Sequence, residues 1–180
     1  MRMPHPRGPI AVVFGSNSPQ DGDLDYAAAR ELGRLLAQAG YVIATGGYFG
    51  TMEAASRGAK EVGGHVIGVT TSIFDAVRLH PNAYLDEELK FPTLFQRLHH
   101  LVTMGDAWVA LPGGIGTLSE VALTWSLLQV GEVKRQPLVL VGELWRRTIS
   151  EFSTDYYVVP RNRDLVRYAA DVQQVLALLK

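Results

Sequence analysis

Residues 107–120 read Ala107-Trp108-Val109-Ala110-Leu111-Pro112-Gly113-Gly114-Ile115-Gly116-Thr117-Leu118-Ser119-Glu120. Five apolar residues suit a strand buried on both faces. Three glycines follow, and then an apolar helical pattern begins, so the stretch is a strand, a tight turn and a helix. Glycine lets backbone approach a ligand closely, and the first turn of the next helix offers unpaired amides and the positive end of its dipole. Such a turn is built to receive an anion such as phosphate.

The same grammar repeats outward from this unit. Apolar, β-branched runs at 10–14, 41–44, 65–69, 137–141 and 165–169 alternate with helical patterns at 24–39, 51–62, 93–104, 118–130, 143–152 and 172–179. Gly40 reads as a helix stop, and Asp171 with Gln174 as a capping box. Alternation of this kind implies right-handed crossovers, hence an α/β fold: one Rossmann-like, doubly wound parallel sheet with helices on both faces. Its ligand site is expected beyond the carboxyl ends of the strands. Residues 1–9, with three prolines, are expected to form a flexible tail, and residues 10–180 a single nucleotide-binding domain. The aperiodic stretch 71–92 is expected to serve as a lid.

Composition narrows the function. A net charge of −1 over 180 residues gives no general pull on nucleic acid or an anionic membrane, so neither is expected as a partner. No stretch approaches the roughly 20 apolar residues that span a bilayer. The absence of cysteine rules out disulfides and thiolate chemistry and suits a cytoplasmic protein. No cluster of acids and histidines has ligand spacing, so no metal and no cofactor is expected. Asp21 and Asp23, either side of Gly22, read as a turn and helix cap.

Two more strand ends run into glycine, at Gly15-Ser16 and at Gly46-Gly47-Tyr48-Phe49-Gly50-Thr51. With Pro112, Gly113, Gly114, Gly116 and Thr117 they form the expected phosphate and nucleotide cradle, and Ser16, Thr51 and Thr117 are expected to add hydroxyl donors. Spacing argues against a dinucleotide: the fingerprint is missing, and Thr45 stands where a ribose-binding acid belongs. No GxxxxGK[ST] occurs, and the lysines Lys60, Lys90, Lys134 and Lys180 lie outside the glycine loops, which excludes a P-loop NTPase. A nucleoside monophosphate fits better than a triphosphate.

Pro112-Gly113-Gly114-Ile115-Gly116-Thr117-Leu118-Ser119-Glu120 resembles the PGGxGTxxE signature of the LOG family, long labelled as lysine decarboxylases. The resemblance implies a cytokinin riboside 5′-monophosphate phosphoribohydrolase: hydrolysis of the N-glycosidic bond of AMP or a cytokinin riboside monophosphate to free base and ribose 5-phosphate. It further implies that Glu120 and Arg97 are catalytic. A true decarboxylase using pyridoxal phosphate needs a Schiff-base lysine, and none is suitably placed. Two departures stand out. The family's Arg-Lys pair reads Arg97-Leu98, and its second glycine loop continues as Thr51-Met52-Glu53. The stretch 52–56 looks closer to molybdenum cofactor carrier proteins, which share the fold and bind without hydrolysing; a non-catalytic nucleotide or cofactor carrier is therefore the alternative.

On this reading Glu120 lies one turn inside the helix from the phosphate-holding amides and faces the sugar, while a first-turn glutamate that only serves its own helix is the plainer alternative. Arg97 is expected at the rim of an apolar stripe of Leu94, Leu98 and Leu101, reaching the pocket with a bidentate guanidinium. Glu53 is a possible sugar-hydroxyl partner. His99 and His100 point about 100° apart and are read as structural. Trp108 and Trp125 are read as core or subunit-interface residues, and a homodimer or higher homo-oligomer is expected.

Overall fold

The computed structural model describes residues 5–179. Strand β1 (Ile10–Phe14) leads to helix α1 (Leu24–Gln38), β2 (Val42–Thr45), α2 (Thr51–Glu61) and β3 (Val66–Thr71). A 3₁₀ segment (Ser72–Val77) precedes β4 (Glu87–Phe91), α3 (Leu94–Thr103), β5 (Ala107–Ala110) and α4 (Ile115–Val130). The chain finishes with β6 (Leu138–Val141), α5 (Glu143–Phe152), α6 (Pro160–Arg163), β7 (Val166–Ala169), a 3₁₀ turn (Val172–Gln174) and α7 (Val175–Leu178). All strands pair in parallel, in the order β4-β3-β2-β1-β5-β6-β7. Chain order reverses between β1 and β5, and the crevice at such a switch point is where α/β sheets bind ligands.

Alternation along each strand feeds two cores. Ile10, Val12 and Phe14 join Leu101, Val121, Trp125 and Trp145 under α3, α4 and α5, while Ala11 and Val13 join Leu32, Leu36, Ala55 and Val175 under α1, α2 and α7. Trp108 and Trp125 are core residues whose indole N–H groups donate to Val102 O at 2.8 Å and Asn162 O at 2.7 Å. That removes the interface reading for both. Among the described residues no helix is long and apolar enough to cross a membrane.

Three local expectations need correction. Residues 71–92 are not aperiodic throughout: they contain the 3₁₀ segment and close with β4, an edge strand paired only to β3. Its sequence Glu87-Glu88-Leu89-Lys90-Phe91 hides the strand: an edge need not be apolar, and its charges are met by Thr70, whose hydroxyl donates to Glu88, and by Asp75, which pairs with Lys90. Helix α4 begins at Ile115, earlier than expected: Gly114 is its N-cap, its carbonyl accepts from Leu118 N at 3.0 Å, and Gly116 lies within the first turn. Asp23 sits at the N-cap of α1 without capping it; its carboxylate accepts from Gln20 N at 2.8 Å, and Asp21 pairs with Arg57.

Capping at Asp171 follows the expected logic with a one-residue offset. Its carboxylate accepts from Gln173 N and Gln174 N, while the Gln174 side chain accepts from Ala170 N rather than from the cap itself. The expected tail falls outside the described residues at 1–4. His5 to Pro9 form a turn closed by Gly8 N to His5 O at 3.1 Å, and Val42 N donates to Pro9 O at 2.9 Å.

Candidate active site

The three glycine loops meet where β1, β2 and β5 end, and they are stitched together. Thr51 donates to Ser16 O through both its amide (2.9 Å) and its hydroxyl (3.1 Å), and the Thr117 hydroxyl donates to Gly15 O at 3.0 Å. Thr51 and Thr117 are buried, so their hydroxyl protons are committed to loop carbonyls rather than offered to a ligand. Ser16 differs: its hydroxyl accepts from Ser18 N at 3.1 Å, which leaves its own proton to give. Gly50 has φ +68°, and a Cβ there would lie 2.2 Å from Ser16 O. Only glycine permits that crossing of the first two loops.

The third loop presents backbone instead. Pro112 and Gly113 are half-buried against the body, whereas Gly114, Ile115 and Gly116 are exposed. Nothing lies within 4 Å of a Cβ placed on Gly114 or Gly116. Gly114 is the N-cap of α4 and no side chain caps the helix, so the first-turn amides face the open side of the loop.

One turn further, Glu120 is buried on α4, and Arg97 is buried opposite it on α3. Their closest atoms, Arg97 Nη1 and Glu120 Oε1, are 3.7 Å apart, an ion-pair distance beyond hydrogen-bond length. Burial pushes the Glu120 carboxyl up to about 7, against the opposing pull of the Arg97 charge. Protonated and ionised forms are therefore comparably populated near neutral pH.

Arg97 is not at the rim of an apolar stripe. It occupies the buried face of α3 with Leu101 and Val102, while Leu94 is 48% exposed. The reason lies at the strand ends: Arg97 Nε donates to Val69 O at 2.8 Å and Nη2 to Gly46 O at 3.2 Å, so two carbonyls hold the fork. Gly46 makes this possible, because a Cβ there would stand 2.2 Å from Arg97 Nη2.

Two supporting residues escaped the sequence reading. Tyr48 lies with its ring 5.9 Å from the Arg97 guanidinium carbon, its hydroxyl tied to Thr71. Buried Asn82 donates through Nδ2 to Tyr48 O at 2.9 Å and through its amide to Gly47 O at 2.9 Å. Tyr48 was visible as part of the second glycine loop; Asn82 carried no signal, being one polar residue in an aperiodic segment.

Glu53 stands in the first turn of α2, directly after the second glycine loop. It lines a cleft of about 460 Å³ with Asn17, Gln20, Tyr26, Gly50 and Tyr84, whose walls include neither Arg97 nor Glu120. His99 is exposed and stacks on Phe95, and His100 packs on Phe91 at 4.8 Å between ring centres. Lys60 and Lys90 are engaged by Asp86 and Asp75.

The chain is similar to known proteins in sequence and in fold. The chain is 29% identical over 177 residues to a cytokinin riboside 5′-monophosphate phosphoribohydrolase of Rhodococcoides fascians, covering 94% of this chain and 88% of that one. It is 30% identical to the protein of that name from Mycobacterium tuberculosis, over 72% of this chain and 68% of the relative. In three dimensions it is similar to the molybdenum cofactor binding protein of Rippkaea orientalis, with a TM-score of 0.75, 26% identity and coverage of 97% and 96%. Residues 52–179 match the family model described as "Possible lysine decarboxylase", and the chain belongs to that family, the LOG family.

Proposed function

We propose that this chain hydrolyses the N-glycosidic bond of a nucleoside 5′-monophosphate, AMP or a cytokinin riboside monophosphate, giving free base and ribose 5-phosphate. The phosphoryl group sits on the open amides at Gly114, Ile115 and Gly116, with Ser16 as a further donor. That places the ribose one helical turn along α4, at Glu120. As the bond between C1′ and the base nitrogen breaks, positive charge develops on the ribose and negative charge on the base. Ionised Glu120 stabilises the first and takes a proton from the attacking water, whose oxygen bonds to C1′; the departing base takes a proton from solvent, and Glu120 returns its own to solvent, so one water is consumed. Arg97, fixed by Val69 O and Gly46 O, supports the negative charge through its remaining N–H groups.

The observation that carries this reading is the buried Glu120 and Arg97 pair beside an uncapped helix start. The relatives named above support the choice of substrate class. We also infer a homo-oligomer, because the helices carrying the pair expose Phe95 (72%) and Ile115 (80%); a monomer by light scattering would refute it. The reaction is tested by incubating the purified chain with AMP and an N6-substituted analogue, then separating products by chromatography. Equimolar base and ribose 5-phosphate are expected. Tight retention of intact nucleotide or a phosphorylated pterin, with no base released, would instead make the protein a carrier.

A further inference from the structure

At the opposite edge of the sheet, the turn before β1 brings His5 against residues that open β3 and β4. His65 Nε2 lies 2.6 Å from Glu87 Oε1, and His5 Nε2 lies 3.8 Å from the same oxygen. The two imidazoles are stacked, with ring centres 5.5 Å apart and planes 28° from parallel. Among the described residues no other group of histidines and acids draws three ligand atoms within 4.8 Å of one another. We propose that His5, His65 and Glu87 bind a divalent transition-metal ion of the zinc class, which fastens the N-terminal segment to the β3–β4 edge.

Geometry and donor chemistry agree. Metal bonds near 2.0–2.1 Å in a tetrahedral site put neighbouring ligand atoms about 3.3 Å apart. The two observed separations, 2.6 and 3.8 Å, fall on either side of that value, so small rotations seat an ion. Two imidazoles and one carboxylate are a donor set that zinc uses with its fourth position open, and that magnesium and calcium, which prefer oxygen, do not.

The outer shell is already built. His65 Nδ1 faces Asp86 Oδ2 at 3.5 Å, and Asp86 is itself held by Lys60 at 2.6 Å and by Val66 N at 2.8 Å. A carboxylate behind a ligating histidine fixes the ring orientation and raises its basicity. The histidine side chains are only 14–15% exposed, which lowers the ordering cost, while Glu87 at 44% leaves the ion a way in from solvent. None of these residues belongs to the pair at Glu120.

The test uses the full chain, free of any affinity tag and stripped with chelator, titrated with zinc chloride by calorimetry and with cobalt chloride by visible absorption. Expected are one equivalent of zinc, tetrahedral cobalt bands, and a thermal midpoint that rises with zinc and not with magnesium. His5→Ala, which alters only the terminal segment, and Glu87→Gln each weaken zinc binding at least about tenfold, and Asp86→Asn about tenfold with unchanged stoichiometry. His99→Ala leaves it untouched. The proposal is overturned by no saturable uptake up to on the order of 100 μM zinc. Uptake undiminished in His5→Ala, or abolished in His99→Ala, overturns it equally.

Discussion

The two edges of the sheet treat their carboxylates in opposite ways. At the carboxyl edge Glu120 is buried, stands 3.7 Å from Arg97, and is pushed up to about 7 by loss of water. At the amino edge burial is again the largest influence on Asp86 and also acts upward, yet its pKa is lowered. Hydrogen bonds from Lys60 and the Val66 amide, with the charges of Lys60 and His65, outweigh burial there. The lesson is that burial alone does not set the outcome; the number of donors arriving with it does. One edge stores an unsettled proton, and the other settles its charges.

The largest effect should come from removing the unsettled proton site. Glu120→Gln keeps the shape and deletes the base, so release of free base is expected to fall by roughly a thousandfold, measured as kcat. Affinity for the monophosphate should change only a few-fold, because the amides of α4 are untouched. A variant that retains turnover would place the chemistry elsewhere.

Acidity gives the next effect, with a sign that separates the two edges. Ionised Glu120 is the working form, so kcat rises about tenfold per unit as pH climbs toward 7 and then levels. Stability runs the other way. The folded carboxyl holds a proton up to about 7 that an unfolded glutamate releases near 4.5, so the contribution of Glu120 to stability is greatest below 4.5 and declines as pH rises to about 7. The decline is at most about 3 kcal/mol, and Glu120→Gln should abolish it. Denaturant unfolding of both proteins at pH 5 and 8 checks this: the variant must gain on the wild type at the higher pH.

How far such behaviour could be read from sequence depends on the range of each interaction. Strands β1, β2, β3, β5 and β6 were legible because strands covered on both faces must be apolar, and the second edge strand β7, despite its exposed Arg167, because Leu165, Val166 and Ala169 are apolar and buried. Strand β4 was not, since an edge strand with Glu87, Glu88 and Lys90 obtains its order from side chains of β3 and the 3₁₀ segment. The glycine loops were legible as loops, but the reason for Gly46 was not: it clears space for an arginine that arrives from α3. Likewise His5, His65 and Glu87 show no ligand spacing, because the parallel crossovers, not the local chain, bring them together.

That role for Gly46 predicts a middle-sized effect. In Gly46→Ala the new methyl meets the far end of Arg97, which can swing aside but only by giving up Gly46 O or its approach to Glu120. Turnover should drop about ten- to a hundredfold through misplacement, with about 1–2 kcal/mol lost in stability. Unchanged turnover would mean that the guanidinium need not be held where it is.

The smallest effect belongs to the settled edge. Lys60 meets Asp86 at 2.6 Å, yet its side chain is 36% exposed, and Asp86 keeps the Val66 amide and His65 when Lys60 is gone. Exposed pairs are screened and lose side-chain freedom on forming. Lys60→Ala is therefore expected to change unfolding free energy by no more than about 0.5 kcal/mol and base release not at all. A loss of several kcal/mol by denaturant titration would show that the amino edge, too, depends on a single charge, and the contrast with Glu120 would fail.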